Sequence, residues 1–363
     1  HDELTKSFID KKISILSRSL KQDIILNTEI NTENKIHIDG QLIGELKGLK
    51  FIVELTSKTL DTDIKSIKKA ARRGIKEELE KRTNEIITNQ EISIDANSKI
   101  IWKGNPIAKL KKGHDYLSPK IEIIADESLE LETKLKLEGF LEKWFNNYIN
   151  EILGDLINLT KQKVENQYLR ALVFQLYEKN GVIKRDEIDT IVKLIPSEER
   201  KKLWKMGIKI GRYHVYLPKM LKPKAVEFRV SLWKIFYNLA NRHEIPKFGL
   251  NFLINKNYEQ SFLLLCGFEK FKQYFVRIDI LEKLFIKILD NSKDRKFTIN
   301  AEMMNLLGCT KENFYKLMTY MDYKKDKTVD TYIFRGEKKK TAKSMRIDKK
   351  ENPFKKLLSL NIK

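Results

Sequence analysis

"KIHIDGQLIGELK" (residues 35–47) returns 64 positions later as "KIIWKGNPIAKLK" (residues 99–111). Ile36 matches Ile100, Ile38 matches Trp102, Gly40 matches Gly104, Ile43 matches Ile107 and Leu46 matches Leu110. Each copy alternates apolar and polar residues around a turn, Asp39-Gly40 in the first and Lys103-Gly104-Asn105 in the second, which is the pattern of a tight hairpin. A third short strand follows in each, "FIVEL" and "KIEII". Helical stripes then close the copies: Ile64, Ile67, Ala71, Ile75 and Leu79 in one, Leu137, Leu141, Trp144, Tyr148 and Ile152 in the other. The repeat predicts two small βββα units, over 23–90 and 91–160. A further stripe, Ile9, Ile13, Leu16 and Leu20, predicts a helix over 1–22, and with His1 in place of Met the expectation is a lead-in helix from a longer chain.

Beyond the repeat the pattern changes period. Residues 161–245 read as a helical basic region: Pro223 suits a helical first turn, and Ala225, Phe228, Leu232, Ile235 and Leu239 follow at spacings of three and four. Before them, "GRYHVYLP" reads as a short extended segment ended by Pro218. From 246 to 335, "FTINAEMMNLLGCTKENFYKLMTYMDYKKDKTVDTYIFRG" gives strand, short helix, tight turn at Gly308, second helix capped by Thr310, then basic loop and strand. That order predicts a winged-helix-like module. Residues 336–363 form a basic tail, mobile except for "PFKKLLSL", which has the pattern of a short helix. The predicted fold class is α+β: two repeated hairpin and helix units, a helical middle region and a C-terminal winged-helix-like module.

Bulk composition narrows the partners. The 363 residues carry 71 Lys and Arg against 50 Asp and Glu, a net charge of +21, which favours polyanions. With no apolar run long enough for a membrane span and no leader pattern, a cytoplasmic protein without membrane contact is expected. Cys266 and Cys309 form no CxxC pair and no zinc spacing, so they read as core residues.

The sequence shows no phosphate-binding loop, no GxGxxG after a strand, no nucleophile elbow and no HExxH. "IEIIADES" imitates a Mg²⁺-binding strand end at Asp126-Glu127, but without a phosphate-binding loop it reads as a repeat strand followed by acids that favour a helix start. His37, His114, His214 and His243 are scattered without paired carboxylates. No catalytic residue, metal site or cofactor is expected here.

Residues 200–236 concentrate the charge, with eleven Lys or Arg and the single acid Glu227, interleaved with Trp204, Tyr213, Tyr216, Phe228, Trp233 and Phe236. Cations that neutralise phosphates beside rings that stack bases are how unpaired nucleic acid is gripped. The predicted contact residues are Arg212, Tyr213, His214, Lys219, Lys222, Lys224 and Arg229. A solvated basic face is the competing reading.

The same stretch resembles the C-terminal region of the alphaproteobacterial superfamily-two RNA helicases related to the mitochondrial degradosome helicase. The likeness rests on Gly207, Gly211, His214, Tyr216, Pro218, Leu221, Lys222, Pro223, Arg229, Leu232 and Trp233. "WKGNPIAKLKKGHDYLSPKIEIIADESL", "FTINAEMMNLLGCTKENF" and "NPFKKLLSL" look like that family's hairpin module, terminal helical module and tail. The resemblance implies an RNA-binding accessory region that guides single-stranded RNA for helicase motor domains lying before His1. ATP and Mg²⁺ would belong to that motor, and RNA-decay proteins would be met through the tail. No motor motif occurs here, so no ATP-handling residue carries over. Two other readings stay open: a stand-alone nucleic-acid-binding or scaffold protein of an RNA-decay or ribosome-associated assembly, and a nuclease or NTPase acting around Asp126-Glu127.

Overall fold

A computed structural model describes residues 28–38, 41–53, 61–89, 91–162, 164–239, 244–254, 258–293, 296–326 and 330–333, with residues 41 and 61–70 as backbone only. The expected lead-in helix and basic tail lie outside the described residues. The fold is α+β, and the chain forms two compact units, one of His1–Gly249 with Tyr258–Phe268, the other of Leu250–Asn257 with Glu269–Lys363.

In the first unit the repeat is present in greater detail than expected. The first copy is β1 (Thr28–Ile30), β2 (Lys35–Ile38), β3 (Gln41–Lys47), β4 (Lys50–Val53) and helix α1 (Asp61–Asn89). The second is β5 (Ile92–Ile94), β6 (Lys99–Trp102), β7 (Asn105–Asp115), β8 (Ser118–Ile123) and α2 (Leu131–Lys161). Each sheet is an antiparallel meander of four strands, one more than the expected three. The added strand enters through an Asx turn: Asn31 accepts from the amides of Glu33 and Lys35, and Asp95 accepts from those of Asn97 and Lys99. Asn34 and Ser98 close these turns in the left-handed region, at φ 64° and 61°. A β-bulge follows at Ile36/His37 and again at Ile100/Ile101. In the second hairpin the turn residues Lys103 and Gly104 both have positive φ, as a type I′ turn demands.

Side chains from both sheets, α1 and α2 merge with those of the following helices into one apolar core running from Ile36 to Leu232. The segments 23–90, 91–160 and 161–245 therefore share an interior. On α2 the buried stripe is Leu137, Leu141, Phe145, Ile149, Leu153, Leu156 and Leu159. Trp144, Tyr148 and Ile152, expected inside, sit half-exposed beside it, because α2 is contacted along a neighbouring face. The tip of the β7–β8 hairpin reaches into the helical region: the Tyr116 hydroxyl donates to the Arg229 carbonyl at 2.6 Å and the Tyr177 hydroxyl to Asp115 at 3.1 Å.

The stretch expected to be helical apart from one extended segment, "GRYHVYLP", contains a three-stranded sheet to which that segment contributes. After α3 (Gln167–Glu178) come β9 (Val182–Lys184), α4 (Arg185–Leu194), α5 (Ser197–Lys205), β10 (Lys209–Ile210) and β11 (His214–Tyr216), with the strands ordered β10-β11-β9. This is helix, strand, two helices and a hairpin whose last strand pairs with the first: the topology of a winged helix. A 3₁₀ turn (Pro218–Leu221) leads to α6 (Pro223–Tyr237), on which Trp233 meets Phe262 of α7 (Gln260–Leu265) at 5.8 Å.

The second unit holds the sheet β12-β14-β13 (Phe252–Ile254, Tyr274–Arg277, Phe268–Phe271, the last from Glu269 onward) and then the expected module. Its elements are α8 (Ile278–Asp290), β15 (Ser292–Lys293), β16 (Lys296–Thr298), α9 (Ala301–Leu307), α10 (Lys311–Tyr320), β17 (Lys324–Lys325) and β18 (Thr331–Ile333), with strands ordered β15-β16-β18-β17. Gly308 ends α9 in the left-handed region and Thr310 caps α10, both as expected. The two modules agree residue for residue where the third helix meets the hairpin. Met206, Gly207 and Ile208 donate backward to Lys202, Trp204 and Leu203, and Met321, Asp322 and Tyr323 donate to Leu317, Thr319 and Met318.

Candidate nucleic-acid interface

Two residues, Ile195-Pro196, separate α5 from α4, and Arg200 fixes that corner by donating to the carbonyls of Ile195 and Val192 at 3.1 and 3.2 Å. Leu203 faces the core. Ser197, Lys201, Trp204 and Lys205, at spacings that place them on one face, are all exposed, Trp204 to 75%. Lys202 is tied to Glu199 at 2.7 Å, and that hydrogen bond raises its pKa. The wing is brief. Gly211 donates to the His214 carbonyl at 2.8 Å and Arg185 to the Tyr213 carbonyl at 2.7 Å, which leaves Arg212 and Tyr213 half-buried at the tip. Lys209 of β10 is exposed beside them.

The predicted contact residues divide. Arg212 and Tyr213 lie at the wing tip, and Lys222 is exposed at the N-cap of α6. Lys219 and Lys224 are exposed but paired with acids of α2, Asp155 at 2.9 Å and Glu151 at 3.2 Å, and Lys224 also lies 5.5 Å over the Tyr148 ring. Counting charge along the segment missed these acids, which come from 64 and 73 residues away.

Two assignments are corrected. His214 is 1% exposed within β11, so it offers no face to a base, and Tyr216, a proposed stacking ring, is buried with it. Arg229 is 0% exposed. Its guanidinium donates to the carbonyls of Asn180 and Met220 at 2.5 Å each and of Leu265 at 3.0 Å, at the C-terminal ends of α3, the 3₁₀ turn and α7. Three helix ends present partial negative charge to one cation, and burial pulls its pKa down. Arg229 ties these three ends together from inside the protein. Sequence reasoning did not single out Lys201 and Lys205, although Lys201, Trp204 and Lys205 stand at i, i+3 and i+4.

In the second unit the equivalent helix is less available. Lys311 pairs with Asp330 at 3.1 Å, Lys316 pairs with Glu312, Asn313 accepts from the Tyr274 hydroxyl at 3.1 Å, and Lys272 lies 4.2 Å over Tyr320. Hydrogen bonds from Tyr315 and Lys311 hold the Asp330 carboxyl below its usual range.

A groove of about 1130 Å³ lies between the second repeat and α6, with Lys111, Lys112, Lys224 and Lys234 on its walls. Lys111 is bound to Glu122, Lys224 to Glu151, and Asp95 and Glu227 face the same space, so it gathers little net charge. Among the described residues no group of three or more His, Cys, Asp or Glu could hold a metal ion. Asp126 accepts from the Ser128 amide at 3.0 Å and belongs to a turn. Burial pushes the thiol pKa of Cys266 up to about 12 and that of Cys309 up to about 11. Among the described residues no helix is long and apolar enough to cross a membrane.

No model of a known protein family matches the chain, and no solved structure matches it. The chain is similar to "Uncharacterized protein MG148" of Mycoplasma genitalium, with 26% identity over 200 residues, 49% of this chain and 48% of the relative. It thus spans about half the length of the curated relative it matches.

Proposed function

We propose that the chain is a nucleic-acid-binding module and that the exposed face of α5, with the adjoining wing, is its contact surface. The observation that carries this is the row Lys201, Trp204 and Lys205, displayed together on the third helix of a winged-helix topology within a chain of net charge +21. Ammonium groups supply the phosphate attraction, and the indole supplies a flat face for a base or sugar. The helicase resemblance adds RNA as the expected ligand and an upstream motor as the expected partner, with the chain guiding a strand for it.

The test is binding by fluorescence anisotropy across a salt series. Lys201→Ala with Lys205→Ala is expected to weaken binding about tenfold near 0.1 M salt and to flatten the log–log salt slope by about 2. Lys219→Ala with Lys224→Ala, which removes cations already matched by Asp155 and Glu151, is expected to cost less. Equal losses from the two pairs would refute this choice of surface. No binding to any nucleic acid would refute the function.

A further inference from the structure

We infer that the α5 and wing face takes double-helical DNA, with α5 in the major groove and the wing against the backbone, in place of the unpaired RNA strand expected from the sequence. This rests on the nucleic-acid reading above and names its substrate. A surface for unpaired strands needs successive aromatic faces along a cationic track. Two of the rings expected to supply them, His214 and Tyr216, are inside the protein, leaving Trp204 as the one fully displayed ring among the described residues of α5 and the wing.

What the face presents is a helix. The nine residues of α5 extend about 13 Å at 1.5 Å per residue, and a helix with its side chains fills a B-form major groove of about 12 Å. The amphipathic split suits insertion: Leu203 holds the inner side, and Ser197, Lys201, Trp204 and Lys205 form the outer one. Ser197 and Glu198 at the N-terminal end have the hydrogen-bonding groups that read base edges, a carboxylate accepting from cytosine N4. The wing follows α5 in the chain and carries the cations Arg212, half-buried at its tip, and Lys209, exposed on β10, for a phosphate backbone to meet. The major groove of duplex RNA is deep and narrow and excludes a helix, so the geometry selects the B form.

The experiment compares the full chain on a 20-base-pair DNA duplex, the RNA duplex of the same sequence and one 20-nucleotide RNA strand, in one salt series. The DNA duplex is expected to bind at least tenfold tighter than either RNA probe. Guanine N7 methylation by dimethyl sulfate, a major-groove reaction, is expected to be suppressed in the complex, and suppression should be lost with Trp204→Ala. Circular dichroism confirms that this exposed-site variant is folded. Equal or tighter binding to the RNA strand, or no N7 protection on DNA, overturns the inference while the proposed function stands. Failure to bind all three probes overturns both.

Discussion

Replacing Arg229 by Ala separates two roles for the same residue. In the fold described above, its guanidinium satisfies three carbonyls at the ends of α3, the 3₁₀ turn and α7, at 2.5 to 3.0 Å and 0% exposure. Each bond is charge-assisted and contributes about 1.5–3 kcal/mol. Against their sum stands the cost of burying the cation, which the substitution relieves. The net loss is about 3–5 kcal/mol, because three buried carbonyls are left unsatisfied at about 1–3 kcal/mol each and the relieved burial cost offsets part of that. At about 2–4 °C per kcal/mol for a unit of this size, the melting temperature falls by about 10 °C. Arg229→Lys keeps the charge but places fewer donors, so it recovers part of the loss. Thermal melts followed by circular dichroism read the stability, and anisotropy titrations well below the melt read nucleic-acid affinity, which is expected to stay at the wild-type value. A variant that melts within about 2 °C of wild type yet binds nucleic acid tenfold more weakly would refute this reasoning and restore Arg229 as a phosphate contact.

Other perturbations test separate parts of the structure. Gly113 lies in the bulged region of β7, where an added Cβ would fall 1.8 Å from the Ser118 carbonyl oxygen, so Gly113→Ala is expected to cost about 2 kcal/mol or more in a urea titration, and an unchanged midpoint would contradict the close approach. In the second unit, burial pushes the Asp279 carboxyl up, but the two hydrogen bonds from Arg277, at 2.7 and 2.6 Å, outweigh it, and the pKa ends below the usual value. A depressed carboxyl contributes stability above its unfolded pKa of about 3.9 and loses it as pH falls through the folded value. Asp279→Asn should therefore be less stable by about 1 kcal/mol at neutral pH, with the gap to wild type closing below pH 4. A gap that stays constant to pH 2 would exclude this linkage.

The repeat was legible because alternation on a pleated strand and a Gly-containing turn survive in sequence as period-two signals. The entering strands β1 and β5 were not, since three residues are too few to show a period and their turns depend on Asn31 and Asp95, common surface residues. The first winged helix escaped for the same reason. Its strands are two or three residues long, and Gly207, which ends α5 at φ 79°, corresponds to Asp322 at φ 63° in the other module, a match that composition hides. The basic stretch was visible as charge, but sequence cannot show that Glu151 and Asp155 oppose Lys224 and Lys219. Nor can it show that Arg229, in a run of surface cations, points into the core.

The Tyr116 hairpin tip joins α6 at the Arg229 carbonyl and α3 through Tyr177. A pull on α6, the segment that directly continues the wing, is therefore transmitted to the duplicated sheets rather than absorbed by a slack tether. The first unit is accordingly expected to yield under mechanical load in a single rupture, with the clasp at Tyr116 as the place where tension first concentrates.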